Sequence, residues 1–174
     1  MSSLILSLEP IKNNLLTIAL LYTLYTATGF TTGIATLYML RGIGFDIKCK
    51  NFDLETLFLR SPIVALIKIF GIVAAEETIF RGIPIFLISS FFSLDLLSFR
   101  GIIILMLFHC TWAILHIFNE EDKISSVPNA VFVFVQGFFF LRLWIGELYY
   151  YAIVIHYMHD LVVISLVALH MKQD

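Results

Sequence analysis

Charged residues are scarce in this chain of 174 residues, where Asp, Glu, Lys and Arg together make up 14%. A soluble domain has about 25%, whereas 60% of this sequence is hydrophobic. The net charge is −2 and no basic cluster is present, which argues against a nucleic-acid-binding protein. The composition therefore predicts an integral membrane protein that crosses the bilayer several times.

Cysteines and several known catalytic patterns are also scarce or missing. The two cysteines, Cys49 in a predicted loop and Cys110 in a predicted span, form no Cys-x-x-Cys pair. Neither a disulfide framework nor a cysteine metal site is expected. The sequence lacks the Gly-x-Ser-x-Gly elbow of serine hydrolases and the His-Glu-x-x-His motif of zinc peptidases. The first twelve residues lack the basic region of a signal peptide, and no cleavage site of small residues follows them. No cleavable signal peptide is therefore predicted.

Long apolar runs predict an all-α transmembrane bundle of about five spans, since each span takes roughly 20 residues. The predicted spans cover residues 15–40, 63–92, 101–118, 130–145 and 148–170. Gly29 and Gly33 favour close helix approach in the first span, and Pro84 is expected to kink the second. A single membrane domain is expected, with an N-terminal span and polar loop (1–62) and a helical core (63–170) that encloses the site.

The loop over 41–60 is the most polar connection between the predicted spans. Positive residues in short loops favour the cytoplasm. Six of them lie on the membrane side that holds this loop, the loop over 119–129 and the C-terminus, and three lie on the other side. The count predicts an N-terminus outside and a C-terminus in the cytoplasm. The six are Arg41, Lys48, Lys50, Arg60, Lys123 and Lys172, and the three are Lys12, Arg100 and Arg142.

The second predicted span carries Glu76, Glu77 and Arg81 at the depth of hydrocarbon. Each charge at that depth costs about 2.5–3.5 kcal/mol. Glu77 and Arg81 are four residues apart and share a helix face, so an ion pair is expected between them. Glu76 is rotated by about 100° and is left to meet a group on another helix. The alternative to a functional site here is a structural polar cluster that locks helices together.

Histidines and a further acid follow in the later spans. His109, Trp112 and His116 recur at i, i+3 and i+7 and line one face of the third span, while His156 and Asp160 are i, i+4 in the fifth. A single helical histidine is usually a packed core residue. Several of them, with unpaired acids in a small bundle, are expected to face inward and find each other. The predicted site consists of Glu76, His116, His156 and Asp160.

Three patterns in order resemble the motifs of a known family. They are Glu76-Glu77-x-x-x-Arg81, Trp112-x-x-x-His116 and His156-x-x-x-Asp160, with Gly82 after the first and the stretch from Gly137 before the third. On these residues the chain resembles the CAAX protease and bacteriocin-processing (CPBP) family of intramembrane glutamic endopeptidases, over about residues 63–165. Trp112 stands where that family usually has Phe, and Asp160 where it often has Asn.

The resemblance implies hydrolysis of a peptide bond near the hydrophobic tail or leader of a substrate protein. Glu76 would be the general base, and His116 would hold and polarise the same water. His156, with Asp160, would stabilise the oxyanion. Leader peptides and C-terminal sorting tails of surface proteins are favoured over prenylated tails as substrates. The implied location is the inner membrane of a prokaryotic cell.

The remaining motif residues take supporting roles under the same resemblance. Glu77 and Arg81 would order the site or bind the substrate, and Trp112 lies beside them in the second motif. His109 and His159 are candidates for support or packing around the site. No cofactor and no metal is implied, and the partners are the peptide substrate and membrane lipid.

Other interpretations of these residues stay open. The four residues of the predicted site could instead hold zinc or iron. His109 and His159 could be axial ligands of a haem. The buried acids and histidines could relay protons in a transporter, although a transporter with five spans and no internal repeat is less expected. A protein of the same fold could also act without catalysis, as a membrane binding or immunity protein.

Overall fold

The computed structural model describes residue 11 and residues 14–45, 53–119, 124 and 126–171. Within these residues the chain is helical and has no strand, which confirms the all-α prediction. The α-helices are α1 (Leu15–Gly42), α2 (Asp53–Arg60), α3 (Pro62–Glu77), α4 (Ile83–Phe86), α5 (Phe99–Leu115), α6 (Val127–Ile145) and α7 (Tyr149–Met171). The π-helical turns Thr78–Gly82 and Leu87–Phe91 flank α4, and the 3-10 turn His116–Asn119 follows α5.

Three helices of the described part of the chain are long and apolar enough to cross a membrane. They are Leu15–Gly42, Phe99–Phe118 and Val127–Ile145, and they fall on the predicted spans over 15–40, 101–118 and 130–145. Their length and composition agree with the prediction of a membrane protein.

The predicted polar loop over 41–60 is wrong in its second half, which forms α2. The apolar residues of this segment recur at helical spacing and give it an apolar stripe, although its charges make it polar on average. Phe58 packs against a cluster that includes Ile69 of α3 and Ile164 of α7. This tertiary packing stabilises a helix that its average polarity does not predict.

Helix α6 is the centre of the bundle. Of its most apolar stretch 56% is buried inside the protein, against 17% for α1, and the run from Gln136 to Leu143 is buried on all faces. Helices α1, α5 and α7 all contact it. A helix enclosed on every side is hydrophobic all round, and α6 therefore positions the elements that carry the motifs.

Two glycines of α1 allow its close contact with α6. A methyl group at Gly29 would lie 2.9 Å from the ring of Phe132, and one at Gly33 would lie 3.0 Å from the carbonyl oxygen of Pro128. Side chains at these positions would push the two helices apart. The prediction that Gly29 and Gly33 serve close helix approach is confirmed.

A π-helical turn lies just ahead of Pro84, at the charged motif. Proline has no N–H, and its ring clashes with the carbonyl four residues earlier, which here belongs to Phe80. In the turn Thr78–Gly82 the helix is wider, and the N–H of Ile83 donates to the carbonyl of Thr78 five residues back. Such turns are one way in which a helix accommodates an irregularity, and they are frequent at functional sites.

Arg142 is buried between helices, although the prediction of orientation counts it as a positive residue of a loop. Its side chain in α6 is 4% exposed, and its Nη1 donates to the hydroxyl of Tyr25 in α1 at 3.1 Å. The sequence places Arg142 near the end of a span, but packing against α1 places its side chain inside the bundle.

Of the other positions in the orientation prediction, Lys12, Lys48, Lys50, Lys123 and Lys172 lie outside the described residues, as does Cys49. Cys110 is a free thiol.

Candidate functional site

The three sequence motifs meet at one place in the structure. Glu77 and His156 are 79 residues apart in sequence, and their side chains are joined by a contact of 2.7 Å. Glu76 and Trp112 are 36 residues apart and are joined at 3.2 Å. The ring centres of Trp112 and His156 lie 6.1 Å apart. The residues around the first π-helical turn therefore meet α5 and α7 in a single cluster.

Glu77 is the enclosed centre of this cluster. Its side chain is fully buried, and Oε1 accepts from Nη1 of Arg81 at 3.0 Å and from Nδ1 of His156 at 2.7 Å. Oε2 accepts from Nε1 of Trp144 at 2.7 Å. The predicted ion pair with Arg81 is present. A carboxylate so enclosed is compensated on both oxygens, which suits a structural role.

Arg81 lies between this carboxylate and the faces of two aromatic rings. Its side chain is 1% exposed, and Cζ lies 3.8 Å from the ring centre of Trp112 and 5.7 Å from that of Phe140. Nε and Nη2 have no hydrogen-bond partner within the described part of the chain. Contact of a desolvated guanidinium with an aromatic face contributes about 2 kcal/mol, which offsets part of the cost of those unpaired donors.

Glu76 has a different environment from its neighbour. Its side chain is half-buried, and Oε2 accepts from Nε1 of Trp112 at 3.2 Å. It lies close enough to His116 and Asp160 to interact with them electrostatically. As the helical spacing predicts, Glu76 meets a group on another helix. An ionised carboxylate has about four acceptor sites, so the single donor that the described residues supply leaves acceptor sites for a substrate or water.

His116 begins the 3-10 turn after α5. Its ring lies edge-on to Trp112 with the centres 5.0 Å apart. Nδ1 donates to the carbonyl oxygen of Trp112 at 2.9 Å, and because a carbonyl only accepts, Nδ1 carries the proton. In a neutral imidazole Nε2 is then an acceptor. In this tautomer Nε2 can accept a hydrogen bond from a bound molecule.

His156 is held from two sides inside the bundle. Its ring stacks on Phe140, with the centres 4.8 Å apart and the planes inclined by 23°. Nδ1 donates to Glu77, while Nε2 lies 3.7 Å from Oδ2 of Asp160, longer than a direct hydrogen bond. The side chain of Asp160 is 33% exposed. The direct partner of His156 is thus Glu77, whereas the sequence pattern groups His156 with Glu76.

The two remaining histidines of the prediction make hydrogen bonds to neighbouring helices. Nε2 of His109 donates to the carbonyl oxygen of Phe134 at 2.8 Å. Nδ1 of His159 lies 2.8 Å from the hydroxyl oxygen of Tyr22 and 3.3 Å from Nε2 of Gln136. Both rings lie against aromatic side chains of α6. These contacts tie α5, α7 and α1 to the central helix.

Helix α6 contributes contacts to the site that the motifs do not contain. Trp144 donates to Glu77, and Phe140 stacks on His156. A tryptophan inside an apolar span signals an indole N–H that needs an acceptor, which is the one clue in the sequence to Trp144. Phe140 carries no comparable signal, since the chain has 17 phenylalanines.

Gly137 provides the space for the aromatic stack. A methyl group at this position would lie 2.4 Å from Cε1 of His109 and 2.5 Å from Cζ3 of Trp112, with Nη2 of Arg81 at 3.1 Å. Two motif side chains, Trp112 and Arg81, and the ring of His109 therefore converge on the bare backbone of α6 at Gly137. Glycine is required here because any side chain would occupy the volume of those rings.

An apolar groove of about 760 Å³ lies between α1 and α7. Its walls are almost entirely aliphatic and aromatic, and Tyr22, Thr26, Tyr151 and His159 are the lining residues with polar side-chain groups. The neighbour of His159 in sequence is Asp160 of the third motif. The groove therefore runs along the same helix that carries His156 and Asp160.

The site as a whole separates two adjacent carboxylates by environment, with Glu77 enclosed and Glu76 half-open. Environments that set neighbouring acids apart are a common feature of catalytic centres.

Among the described residues, no group of three or more His, Cys, Asp and Glu side chains is placed to hold a metal ion. Comparisons of the chain with protein-family models, with curated proteins and with solved structures give no match.

Proposed function

We propose that this protein is an intramembrane endopeptidase of the CPBP type, which hydrolyses a peptide bond near the hydrophobic tail or leader of a substrate protein. The observation that carries the proposal is the contrast between the two adjacent glutamates. Glu77 is enclosed by Arg81, His156 and Trp144. Glu76 keeps a half-buried carboxylate near His116, as a general base requires.

In the proposed reaction Glu76 removes a proton from a water whose oxygen attacks the scissile carbonyl. His116, with Nδ1 occupied by the carbonyl of Trp112, holds that water through Nε2. The carbonyl oxygen becomes an oxyanion, and the proton on Glu76 passes to the leaving amine as the C–N bond breaks. A donor to the oxyanion contributes about 2.7–4 kcal/mol, and a protonated Nε2 of His156 would be that donor beside Asp160.

A hydrophobic substrate agrees with the surroundings of the site. The groove between α1 and α7 is lined mainly by apolar side chains and runs along the helix of His156 and Asp160. A tail or leader segment that lies in the membrane could rest there with its cleavage site near Glu76. Leader peptides and C-terminal sorting tails of surface proteins are the proposed substrates.

The proposal includes five membrane spans around a buried site. Two of them, the segment 62–91 and α7, come in addition to the three long apolar helices described above. Helix α7 has 23 residues and a length of about 35 Å, sufficient for a hydrocarbon core of about 30 Å. Val154, Met158, Val162 and Leu166 form an exposed apolar stripe along it. The same four residues line the groove between α1 and α7, and such a surface is unusual in water and suits lipid, which a hydrophobic substrate segment would replace.

The topology can be tested with single cysteines at Ile43 and Leu97, which precede and follow the segment 62–91, in a variant without Cys49 and Cys110. Both positions are exposed. If the segment spans the membrane with the N-terminus outside, an impermeant maleimide added to intact cells labels residue 97 and leaves residue 43 unlabelled until the cells are opened. Equal labelling of both positions from outside would contradict a span between them.

The catalytic role of Glu76 predicts that Glu76→Gln lowers the rate of cleavage by about 10²–10⁴-fold, the contribution of a general base. The measurement is cleavage of hydrophobic-tailed and leader peptides by purified protein, with and without EDTA. Glu147→Gln, on an exposed turn, is the matched control that removes a carboxylate which belongs to none of the three motifs. It is expected to keep wild-type activity.

Each other outcome of this measurement points elsewhere. Full activity of purified Glu76→Gln would refute the mechanism. Activity that EDTA abolishes would move the same residues into a metal site. Tight binding of tail peptides without cleavage would favour the non-catalytic binding protein.

A further inference from the structure

Each of the two tryptophans in the chain donates its indole N–H to one of the two adjacent glutamates. Nε1 of Trp144 lies 2.7 Å from Oε2 of Glu77. Nε1 of Trp112 lies 3.2 Å from Oε2 of Glu76. An indole has a single donor and no acceptor, so each ring is committed to one carboxylate. The bond to Glu77 adds to two others, whereas the bond to Glu76 is the one hydrogen bond that the described residues give this carboxylate.

The indole of Trp112 is held rigidly by its surroundings. Its side chain is 2% exposed, and the guanidinium of Arg81 lies on its face at 3.8 Å. The ring of His116 meets it edge-on, and the backbone of Gly137 leaves no space for even a methyl group beside it. The direction of the N–H bond is therefore set by packing, and so is the position of the carboxylate oxygen that accepts it.

We infer that Trp112 is the positioning residue of Glu76: its indole N–H holds Oε2, so that Oε1 is the oxygen presented to the attacking water. Arg81 acts through the ring of Trp112, because it supports the indole from its face. The inference rests on the proposed function, which makes Glu76 the base. It concerns this chain in particular, since phenylalanine at 112 would keep an aromatic face but have no donor.

The alternative is that Trp112 only fills space between α5 and α6. Trp112→Phe separates the two roles, because phenylalanine keeps an aromatic face for Arg81 and removes the N–H. Replacement by 3-benzothienylalanine is sharper still, since sulfur takes the place of the N–H in a ring of nearly the same shape. This second variant also answers the objection that phenylalanine disturbs packing.

The first measurement is steady-state cleavage with purified variants. We expect both replacements to lower kcat by about 10- to 100-fold, the loss expected for one hydrogen bond to a charged group. In the benzothienyl variant KM and the melting temperature should stay close to those of the wild type, because a bicyclic ring of nearly the same shape stays in place. Trp112→Phe leaves a cavity beside Gly137 and is expected to lower the melting temperature as well. Tyr150→Phe removes a hydroxyl group from a side chain that is 71% exposed, and it should change neither kcat nor KM.

The second measurement does not depend on activity. Protein with ¹⁵N-labelled tryptophan has two indole N–H resonances, and Trp112→Phe removes and so assigns one of them. Glu76→Ala removes the acceptor and is expected to move the Trp112 resonance while the Trp144 resonance stays in place.

The two measurements separate failure of this inference from failure of the proposed function. Wild-type kcat in the benzothienyl variant, or an unmoved Trp112 resonance in Glu76→Ala, would overturn the positioning role. If the wild type cleaves none of the peptides but Glu76→Ala moves the Trp112 resonance, the proposed function fails, and the indole still holds the Glu76 carboxylate.

Discussion

Glu77→Ala is expected to lower the heat resistance of the folded protein strongly, because removing one member of a buried ion pair costs about 3–5 kcal/mol. The reason is the partner that remains. Arg81 is 1% exposed and loses its only carboxylate contact among the described residues, while His156 and Trp144 lose the acceptor for their N–H groups. The measurement is the fraction of purified protein that stays monodisperse in detergent after heating.

Glu76→Ala is the matched control, because it removes an adjacent carboxylate that is only half-buried. It should withstand heating far better than Glu77→Ala. A double variant, Glu77→Gln with Arg81→Met, removes both charges at similar volume and is expected to be more stable than Glu77→Gln alone. Equal heat resistance of Glu77→Ala and the wild type would show that the cluster does not hold the bundle together.

Gly137→Ala is expected to be the most damaging small substitution in the central helix. The added methyl group would lie 2.4 Å from the ring of His109 and 2.5 Å from that of Trp112. Overpacking of this kind costs about 1–3 kcal/mol, and the rings that must move are those beside Arg81 and Glu76. We therefore expect a lower melting temperature together with a loss of cleavage of at least about tenfold.

Gly71→Ala is the control for this prediction. Gly71 also lies in a helix, but a methyl group there meets no atom within 4 Å. Alanine is a better helix former than glycine by about 1 kcal/mol, so this variant should be as stable as the wild type or more so. Similar melting temperatures and activities for the two alanine variants would contradict the space-making role of Gly137.

Local spacing in the sequence accounts for much of what the structure contains. The predicted spans over 15–40, 101–118 and 130–145 match helices long enough to cross a membrane. The i, i+4 pair of Glu77 and Arg81 is present. These features depend on helical periodicity and on the length of apolar runs, which a single segment carries without reference to the rest of the chain.

The sequence by itself determined that the chain is helical and apolar, and that Glu76 and Glu77 lie on different faces of one helix. Tertiary packing alone decided that Glu77 is the enclosed carboxylate, since its partners His156 and Trp144 come from α7 and α6. The space at Gly137 has the same origin. Helical spacing relates residues within a helix, but which face meets which neighbour depends on how the helices pack around α6.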